Sequence, residues 1–288
     1  MPVRIVHSKQ NARLKELRRA LANPPRAASC ESARLAGIEG PNLLREALRS
    51  GLKIETVFVT REFERLLSDI GLPDDTDILL LPKELLDAAL VTETPQPVAA
   101  LVEVPSWSWD DILQRDAPIA PLILVLAALQ DPGNLGTILR SVEAFGATGI
   151  ISLPGTVSPW NTKAVRASAG SVFRVPLIES TADECFSQLR TFGLRALTTV
   201  GRDAEAVTST NLAGPTALLI GNEGNGVPDE LAARCEGAIT IPTPGPVESL
   251  NAAVAASVLL YEASRQRAVR FSPAIDLNSD ATAERSAR

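Results

Sequence analysis

Residues 122–129 are apolar without interruption, reading Leu-Ile-Leu-Val-Leu-Ala-Ala-Leu. A strand that is apolar at every position has to be covered on both faces, which is typical of a parallel sheet packed between helices. Shorter apolar runs recur downstream with helical patterns between several of them, at 149–153, 194–200, 217–221 and 238–241. This alternation predicts an α/β fold whose parallel sheet is covered by helices on both faces. Ligands of such sheets bind beyond the carboxyl ends of the strands.

The 288 residues are enough for two domains. The part before the apolar run has the pattern of a small α/β unit, with helices at 11–21 and 41–49 and strands at 56–60, 77–81 and 98–104. A stretch rich in Pro, Ser and Trp follows it, and a last helix is predicted at 250–267. We therefore expect four parts: a first domain at 1–104, a linker with one helical turn at 105–121, a second domain at 122–270, and a disordered polar tail at 271–288.

The charge is unevenly distributed along the chain. The net charge is −6, yet residues 1–35 carry eight Lys or Arg against two Glu. Such a basic segment suits a surface that follows phosphate groups, although a solvated basic helix without a partner explains the charge equally well.

Several function classes are disfavoured by what the sequence contains. No window of eighteen apolar residues predicts a membrane span, and residues 1–10 do not resemble a signal peptide. Cys30, Cys185 and Cys235 lie far apart without metal-ligand spacing, so we expect free thiols in a reducing cytoplasm and no metal site. His7 is the single histidine, which argues against hydrolases and metal centres that depend on histidine.

The first segment that suggests chemistry, residues 130–140, reads QDPGNLGTILR and follows the apolar run. Its turn leads directly into a helix, and Asn134 is expected to be the N-cap. On this helix Arg140 lies opposite the apolar stripe, so it should point towards solvent, a cleft or another subunit. On this segment alone, an ordinary surface arginine is the commoner explanation.

Two further loops follow later strands. Residues 221–228, GNEGNGVP, place three glycines around Glu223, which permits close approach of the backbone to a small ligand. This loop lacks the Lys-Ser or Lys-Thr of a P-loop, and no strand is followed by G-x-G-x-x-G. Residues 241–251, IPTPGPVESLN, form a proline-stiffened loop in which Ser249 is expected to cap the last helix and Asn251 to lie in its first turn. Taken singly, a tight turn and a simple helix cap remain open as explanations.

Together and in this order, these segments resemble the three motifs of the SpoU, or TrmH, family of RNA ribose 2′-O-methyltransferases in the SPOUT superfamily. The motifs are N-x-G-x-x-x-R at 134–140, G-N-E-G at 221–224 and I-P…E-S-L-N at 241–251, and a fourth similar stretch lies at 163–171. The first domain is more loosely similar to the substrate-binding domain of that family, which is related to RNA-binding folds of ribosomal proteins. That similarity lies at 38–40 and 94–97.

The resemblance implies a second domain with a trefoil knot that holds S-adenosylmethionine as methyl donor, without a metal. It also implies an RNA partner, no membrane, and a homodimer whose active site draws on both subunits. The residues expected to bind the cofactor are Thr199, Gly221, Ile241 and Leu250.

By the same resemblance, the expected catalytic residues are Arg140, Asn134, Glu223, Ser249 and Asn251. The family proposal makes the arginine a general base, but a guanidinium is effectively always protonated. We therefore expect Arg140 to stabilise the developing negative oxygen and to bind the RNA phosphate. Asn134 and Ser249 would position Arg140 or the ribose. Glu223 would orient the arginine or accept the proton, and Asn251 would order the loop.

Ribosomal RNA is the expected substrate, because the N-terminal extension resembles the branch of the family that acts on it. Three alternatives stay open: a tRNA 2′-O-methyltransferase, a non-catalytic RNA-binding protein with a methyltransferase-like domain, and a SPOUT enzyme that methylates a base nitrogen. The presence of all five polar site residues argues against the second alternative. The pairing of N-x-G-x-x-x-R with S-L-N favours ribose over a base.

Overall fold

The computed structural model describes residues 3–25, 34–113, 120–247 and 249–269. The first of its two sheets has the strand order β1-β4-β3-β5-β2, in which β5 is antiparallel to both neighbours and the other pairs are parallel. Its strands are β1 (Val3–Ile5), β2 (Leu35–Glu39), β3 (Ile54–Thr60), β4 (Asp77–Leu81) and β5 (Val98–Glu103). Its helices are α1 (Ala12–Ala22), α2 (Pro41–Arg49), α3 (Glu64–Ile70) and α4 (Lys83–Asp87), with a 3₁₀ helix at Arg61–Phe63.

The second sheet has seven parallel strands in the order β10-β12-β9-β11-β6-β7-β8. Its strands are β6 (Leu122–Leu126), β7 (Gly149–Ser152), β8 (Leu177–Glu179), β9 (Arg195–Thr199), β10 (Glu205–Ala206), β11 (Thr216–Ile220) and β12 (Gly237–Thr240). The helices around it are α5 (Trp109–Leu113), α6 (Pro132–Phe145), α7 (Thr162–Ser168), α8 (Ala182–Thr191), α9 (Asp229–Ala232) and α10 (Ala252–Val269), with a 3₁₀ helix at Ser171–Phe173.

The alternation of side chains along β6 explains why that strand is apolar throughout. Leu122, Leu124 and Leu126 are buried in the cluster that contains the apolar residues of α6 and α10. Ile123 and Val125 are buried on the opposite face, with residues of α5 and α8. A parallel sheet covered by helices on both faces, as predicted, is therefore confirmed.

Two predicted helix caps were wrong. The helix α6 begins three residues earlier than expected, and its N-cap is Asp131 instead of Asn134. Pro132 accounts for the earlier start, because proline is well suited to the first turn of a helix, where no backbone N–H is needed. At α10 the cap is Asn251, whose side chain accepts from the backbone N–H groups of Ala253 and Val254, so the prediction for Ser249 was also wrong.

Other boundaries differ for local reasons. The strand β6 ends at Leu126 instead of residue 129, and Ala128 then adopts a positive φ of 57°. The strands β1 and β2 were not predicted, because both are short or interrupted by glycine. The predicted linker contains α5, whose Ile112 and Leu113 belong to the core of the second sheet. The predicted disordered tail at 271–288 and Cys30 lie outside the described residues.

The last helix returns to the middle of the second sheet. The strand β12 lies beyond β9, whereas α10 packs against α6 and the β6 face. The described residues between β12 and α10, 241–247 and 249–251, therefore pass the carboxyl ends of β9 and β11. The trefoil knot implied by the resemblance stays a prediction. If the knot is present, it involves the segment between β12 and α10.

Candidate active site

A cavity of about 200 Å³ lies at the carboxyl ends of β9, β11 and β12. All four residues predicted to bind the cofactor line it: Thr199, Gly221, Ile241 and Leu250. Its remaining lining is largely aliphatic side chain and glycine backbone, including Ile220, Ile239 and Leu259. Glu223 and Ser249, from the predicted catalytic set, also line it. The position is the one that a parallel sheet offers to ligands.

The glycine loop after β11 is held by its own backbone. The amide and carbonyl of Asn222 exchange hydrogen bonds of 3.0 and 2.9 Å with those of Gly226. The Asn222 side chain donates to the carbonyl of Ala128 at 3.0 Å and accepts from the Gly224 amide at 2.9 Å. A Cβ on Gly221 would overlap the backbone at Gly226, so only glycine fits at this position. These contacts hold the loop in place beside the cavity.

Glu223 joins this loop to the turn before α6. Its carboxylate accepts from the Asn134 side-chain amide at 3.0 Å and from the backbone N–H groups of Gln130 and Asp131 at 3.3 and 3.1 Å. Burial alone would raise the pKa of Glu223, but the hydrogen bonds from Asn134 and these amides outweigh it, and the pKa is lowered. The residue is therefore ionised near neutral pH.

Asn134 continues the same chain of contacts into the third loop. Its Oδ1 accepts from Nδ2 of Asn251 at 3.0 Å, while Asn251 Oδ1 caps α10. Three residues predicted to be catalytic, from three separate segments, thus form one hydrogen-bonded series, Glu223–Asn134–Asn251. The series ties together the turn before α6, the glycine loop and the start of α10, and its member Glu223 lines the cavity.

Arg140 lies six residues further along α6 than Asn134, which is about 1.7 helical turns. Its side chain is exposed, as predicted, and it does not line the cavity of its own chain. Among the described residues it has no hydrogen-bond or ion-pair partner. The helix itself is fixed closely against α7, because Gly136 leaves no room for a Cβ beside the backbone of Ala164.

Ser249 is exposed at the rim of the cavity and has no hydrogen-bond partner among the described residues. Two residues at the site were missed by sequence reasoning. Asp131 caps α6 and faces Lys163 Nζ at 3.4 Å, and Asn222 fixes the glycine loop. The Asp-Pro pair could have indicated the first, since a cap followed by proline is a common helix start.

Comparison with known proteins gives consistent matches over both domains. Residues 121–261 match the profile of the SpoU rRNA Methylase family, and residues 38–107 match that of RNA 2′-O ribose methyltransferase substrate binding. A 23S rRNA (guanosine(2553)-2′-O)-methyltransferase, RlmP, of Bacillus subtilis is 32% identical over 224 residues, which is 78% of this chain and 86% of that protein.

Two solved structures with bound AdoMet resemble about nine tenths of the chain. The SpoU methyltransferase AviRb from Streptomyces viridochromogenes superposes with a TM-score of 0.75 at 28% identity, covering 90% of this chain and 99% of the other. An rRNA methyltransferase from Sinorhizobium meliloti gives a TM-score of 0.76 at 28% identity, covering 91% and 98%.

The fold, the cavity beyond the strand ends and these similarities define an S-adenosylmethionine-dependent RNA 2′-O-ribose methyltransferase. Within that class, the chain belongs to the SpoU rRNA methylase family. None of the described helices combines the length and apolarity needed to cross a bilayer.

Proposed function

We propose that this enzyme methylates a ribose 2′-hydroxyl in ribosomal RNA, in the cytoplasm, as a homodimer. The observation that carries the proposal is the cavity at the ends of β9, β11 and β12, whose lining includes Glu223, the first residue of the series Glu223–Asn134–Asn251. The preference for ribosomal RNA is supported by the relative from Bacillus subtilis, which is named for 23S rRNA.

The lining of the cavity fits S-adenosylmethionine. Aliphatic side chains and glycine backbone suit an adenosine group, and no Lys or Arg lies among the described lining residues to bind a phosphate. The charged side chain in that lining is Glu223, a carboxylate, which suits a cationic ligand. Thr199, Gly221, Ile241 and Leu250 would hold the cofactor, which supplies an electrophilic methyl group when bound.

The residues around the cavity would serve the transfer chiefly by alignment and electrostatics, since a methyl displacement requires donor and acceptor in line. We assign to Arg140 the stabilisation of negative charge on the 2′-oxygen and the binding of an adjacent phosphate. For Glu223 we favour a positioning role, because its carboxylate is engaged by Asn134 and two backbone amides. Ser249, exposed at the rim, is assigned to the ribose.

The homodimer is supported by an apolar stripe on α10. Val254, Val258 and Tyr261 are exposed on one side of this helix, and Tyr261 is 56% exposed. The stripe adjoins α6, because Tyr261 packs edge-on against Phe145. A second chain covering this stripe would bury apolar surface and place its own α6, with Arg140, near the cavity of the first.

One experiment tests the function. The protein is incubated with S-adenosylmethionine carrying a labelled methyl group and total RNA from cells that lack the protein. Label is expected in ribosomal RNA at one nucleotide whose 3′ linkage resists alkaline hydrolysis, because a 2′-O-methyl group blocks cleavage there. Label in tRNA would replace the proposed substrate, and label at an alkali-sensitive nucleotide would indicate base methylation.

A further inference from the structure

Arg174, which follows the 3₁₀ helix at Ser171–Phe173, contacts both domains. Its Nη1 donates to Glu46 Oε2 at 3.0 Å and to Ser50 Oγ at 2.9 Å, both at the C-terminal end of α2 in the first domain. On its other side, Nε and Nη2 form a bidentate pair with the carboxylate of Glu143 on α6, the Nη2 bond measuring 3.1 Å. One guanidinium therefore joins the substrate-binding domain to the helix that carries Arg140.

The backbone also comes close at this point. Gly170 has a φ of 95°, and a Cβ built on it would lie 2.7 Å from Cβ of Glu46. Residues of both domains, including Ile38 of β2 and Val165 of α7, belong to one hydrophobic cluster. The two domains are therefore packed together, and Arg174 lies at the polar edge of that packing.

The charges explain why an arginine is needed here. Glu46 and Glu143 come from different domains and reach the same guanidinium, so without it two carboxylates would face each other across the domain boundary. The planar fork of arginine satisfies both at once, which the single point charge of lysine does not reproduce. The hydrogen bond to Arg174 lowers the pKa of Glu143 and keeps it ionised.

We propose that Arg174 is a positioning residue that fixes the first domain relative to α6, and thereby places bound RNA against the catalytic centre. Glu143 is three residues from Arg140 and lies on the neighbouring turn of the same helix. A shift of α2 relative to α6 would therefore change the distance between Arg140 and the RNA that the first domain binds. The cofactor cavity is not part of this contact, because neither Arg174 nor its partners Glu46 and Glu143 line it.

The test compares Arg174→Gln with the double variant Arg174→Gln/Glu46→Gln. Arg174→Gln should raise the KM for ribosomal RNA on the order of tenfold with little change in the Kd for S-adenosylmethionine. The double variant should recover part of this loss, because one of the two facing carboxylates is neutral. Arg190→Gln, at an exposed arginine on α8 in the other face of the sheet, is the matched control and should behave like wild type.

Hydrogen exchange provides a second readout that does not need activity. Faster exchange is expected in Arg174→Gln at 41–50 and 170–175, with β6 and β11 unchanged. The KM measurement rests on the proposed function, because it uses ribosomal RNA as substrate, whereas hydrogen exchange does not. Failure of the proposed function can therefore be distinguished from failure of the positioning role. An unchanged KM with unchanged exchange would overturn the positioning role. So would an equal loss of cofactor and RNA binding, or the absence of any recovery in the double variant. If Arg174→Gln does not fold, Arg174→Lys replaces it, with the same expected direction.

Discussion

Asn134 and Asn251 lie 117 residues apart in the chain, and the Nδ2 of Asn251 donates to the Oδ1 of Asn134 at 3.0 Å. Each of them has a further partner, because Asn134 donates to Glu223 and Asn251 caps α10. A single amide thus determines how the turn before α6, the glycine loop and the last helix meet at the cavity.

Replacement of Asn134 by Ala should disconnect this series. Glu223 loses a donor and Asn251 loses an acceptor. A hydrogen bond typically contributes about 0.5–1.5 kcal/mol net, and about 1.5–3 kcal/mol when one partner is charged, as Glu223 is. We expect kcat/KM to fall about 10- to 100-fold on this basis, and the assay is methyl incorporation into RNA. Asn225→Ala, the same change in the same glycine loop, serves as control and should stay close to wild type. Equal effects of the two substitutions would contradict a special role for Asn134.

Alanine substitutions at Gly221 and Gly224 can be compared directly, because both glycines line the cavity but only Gly221 lacks room for a Cβ. A Cβ at Gly221 would overlap the backbone of Gly226, whereas at Gly224 its nearest neighbour would be Asn222 Oδ1 at 3.4 Å. Gly221→Ala should therefore weaken S-adenosylmethionine binding by more than about tenfold, since the loop has to move to relieve the clash. Titration calorimetry of both variants measures this. Binding of normal strength in Gly221→Ala would remove this loop from the cofactor site.

Because Glu223 is ionised in the folded protein, the stability of the fold should depend on pH. Its pKa in the folded protein is below the usual 4.5, so its hydrogen bonds stabilise the fold at pH values above that, and this stabilisation is lost as the pH falls through the lowered pKa. Glu223→Gln should therefore unfold at a lower temperature than wild type near pH 7, and the difference should shrink below about pH 4. Thermal unfolding of both proteins from pH 3 to pH 8 shows whether the difference in unfolding temperature shrinks or grows as the pH falls. A difference that grows towards acid would contradict it.

The secondary structure of the second domain was largely predictable, because a strand buried on both faces leaves no polar position, as in β6. The start of α6 was misplaced by three residues: Asp-Pro-Gly-Asn offers two capping side chains, and Pro132 in the first turn favours Asp131 over Asn134 as the cap. The strand β2 was missed because Gly37 interrupts its pattern; the structure explains that glycine by Leu21, whose Cδ2 would lie 2.7 Å from an added Cβ.

Three of the residues predicted to be catalytic come together in the structure, but the sequence did not predict the hydrogen bonds among them. Asn134, Glu223 and Asn251 were each identified, but the bonds among them join positions separated by 89 and 117 residues. Arg174 was not identified, because its partners lie 31, 124 and 128 residues away and no local pattern records them. Long-range polar contacts of this kind depend on how the helices and strands pack against one another in the folded protein.

Arg140→Ala should lower the rate of methyl transfer far more than it weakens cofactor binding. Arg140 lies outside the cavity lining of its own chain, so Arg140→Ala should keep the wild-type Kd for S-adenosylmethionine. Loss of a group that stabilises transition-state charge typically lowers kcat by about 10²–10³. Near-normal turnover in Arg140→Ala would exclude this residue from the mechanism.

The central claim is that each catalytic centre combines the cavity of one subunit with Arg140 of the other. Co-expression of Arg140→Ala and Gly221→Ala chains under different affinity tags, followed by purification through both tags, gives mixed dimers with one intact centre each. At a cofactor concentration well below the Kd of Gly221→Ala, such dimers should regain roughly half of the wild-type rate, because one of the two symmetric sites is complete. Under the same condition either variant alone should be far less active. Mixed dimers as inactive as their parents would contradict the shared centre.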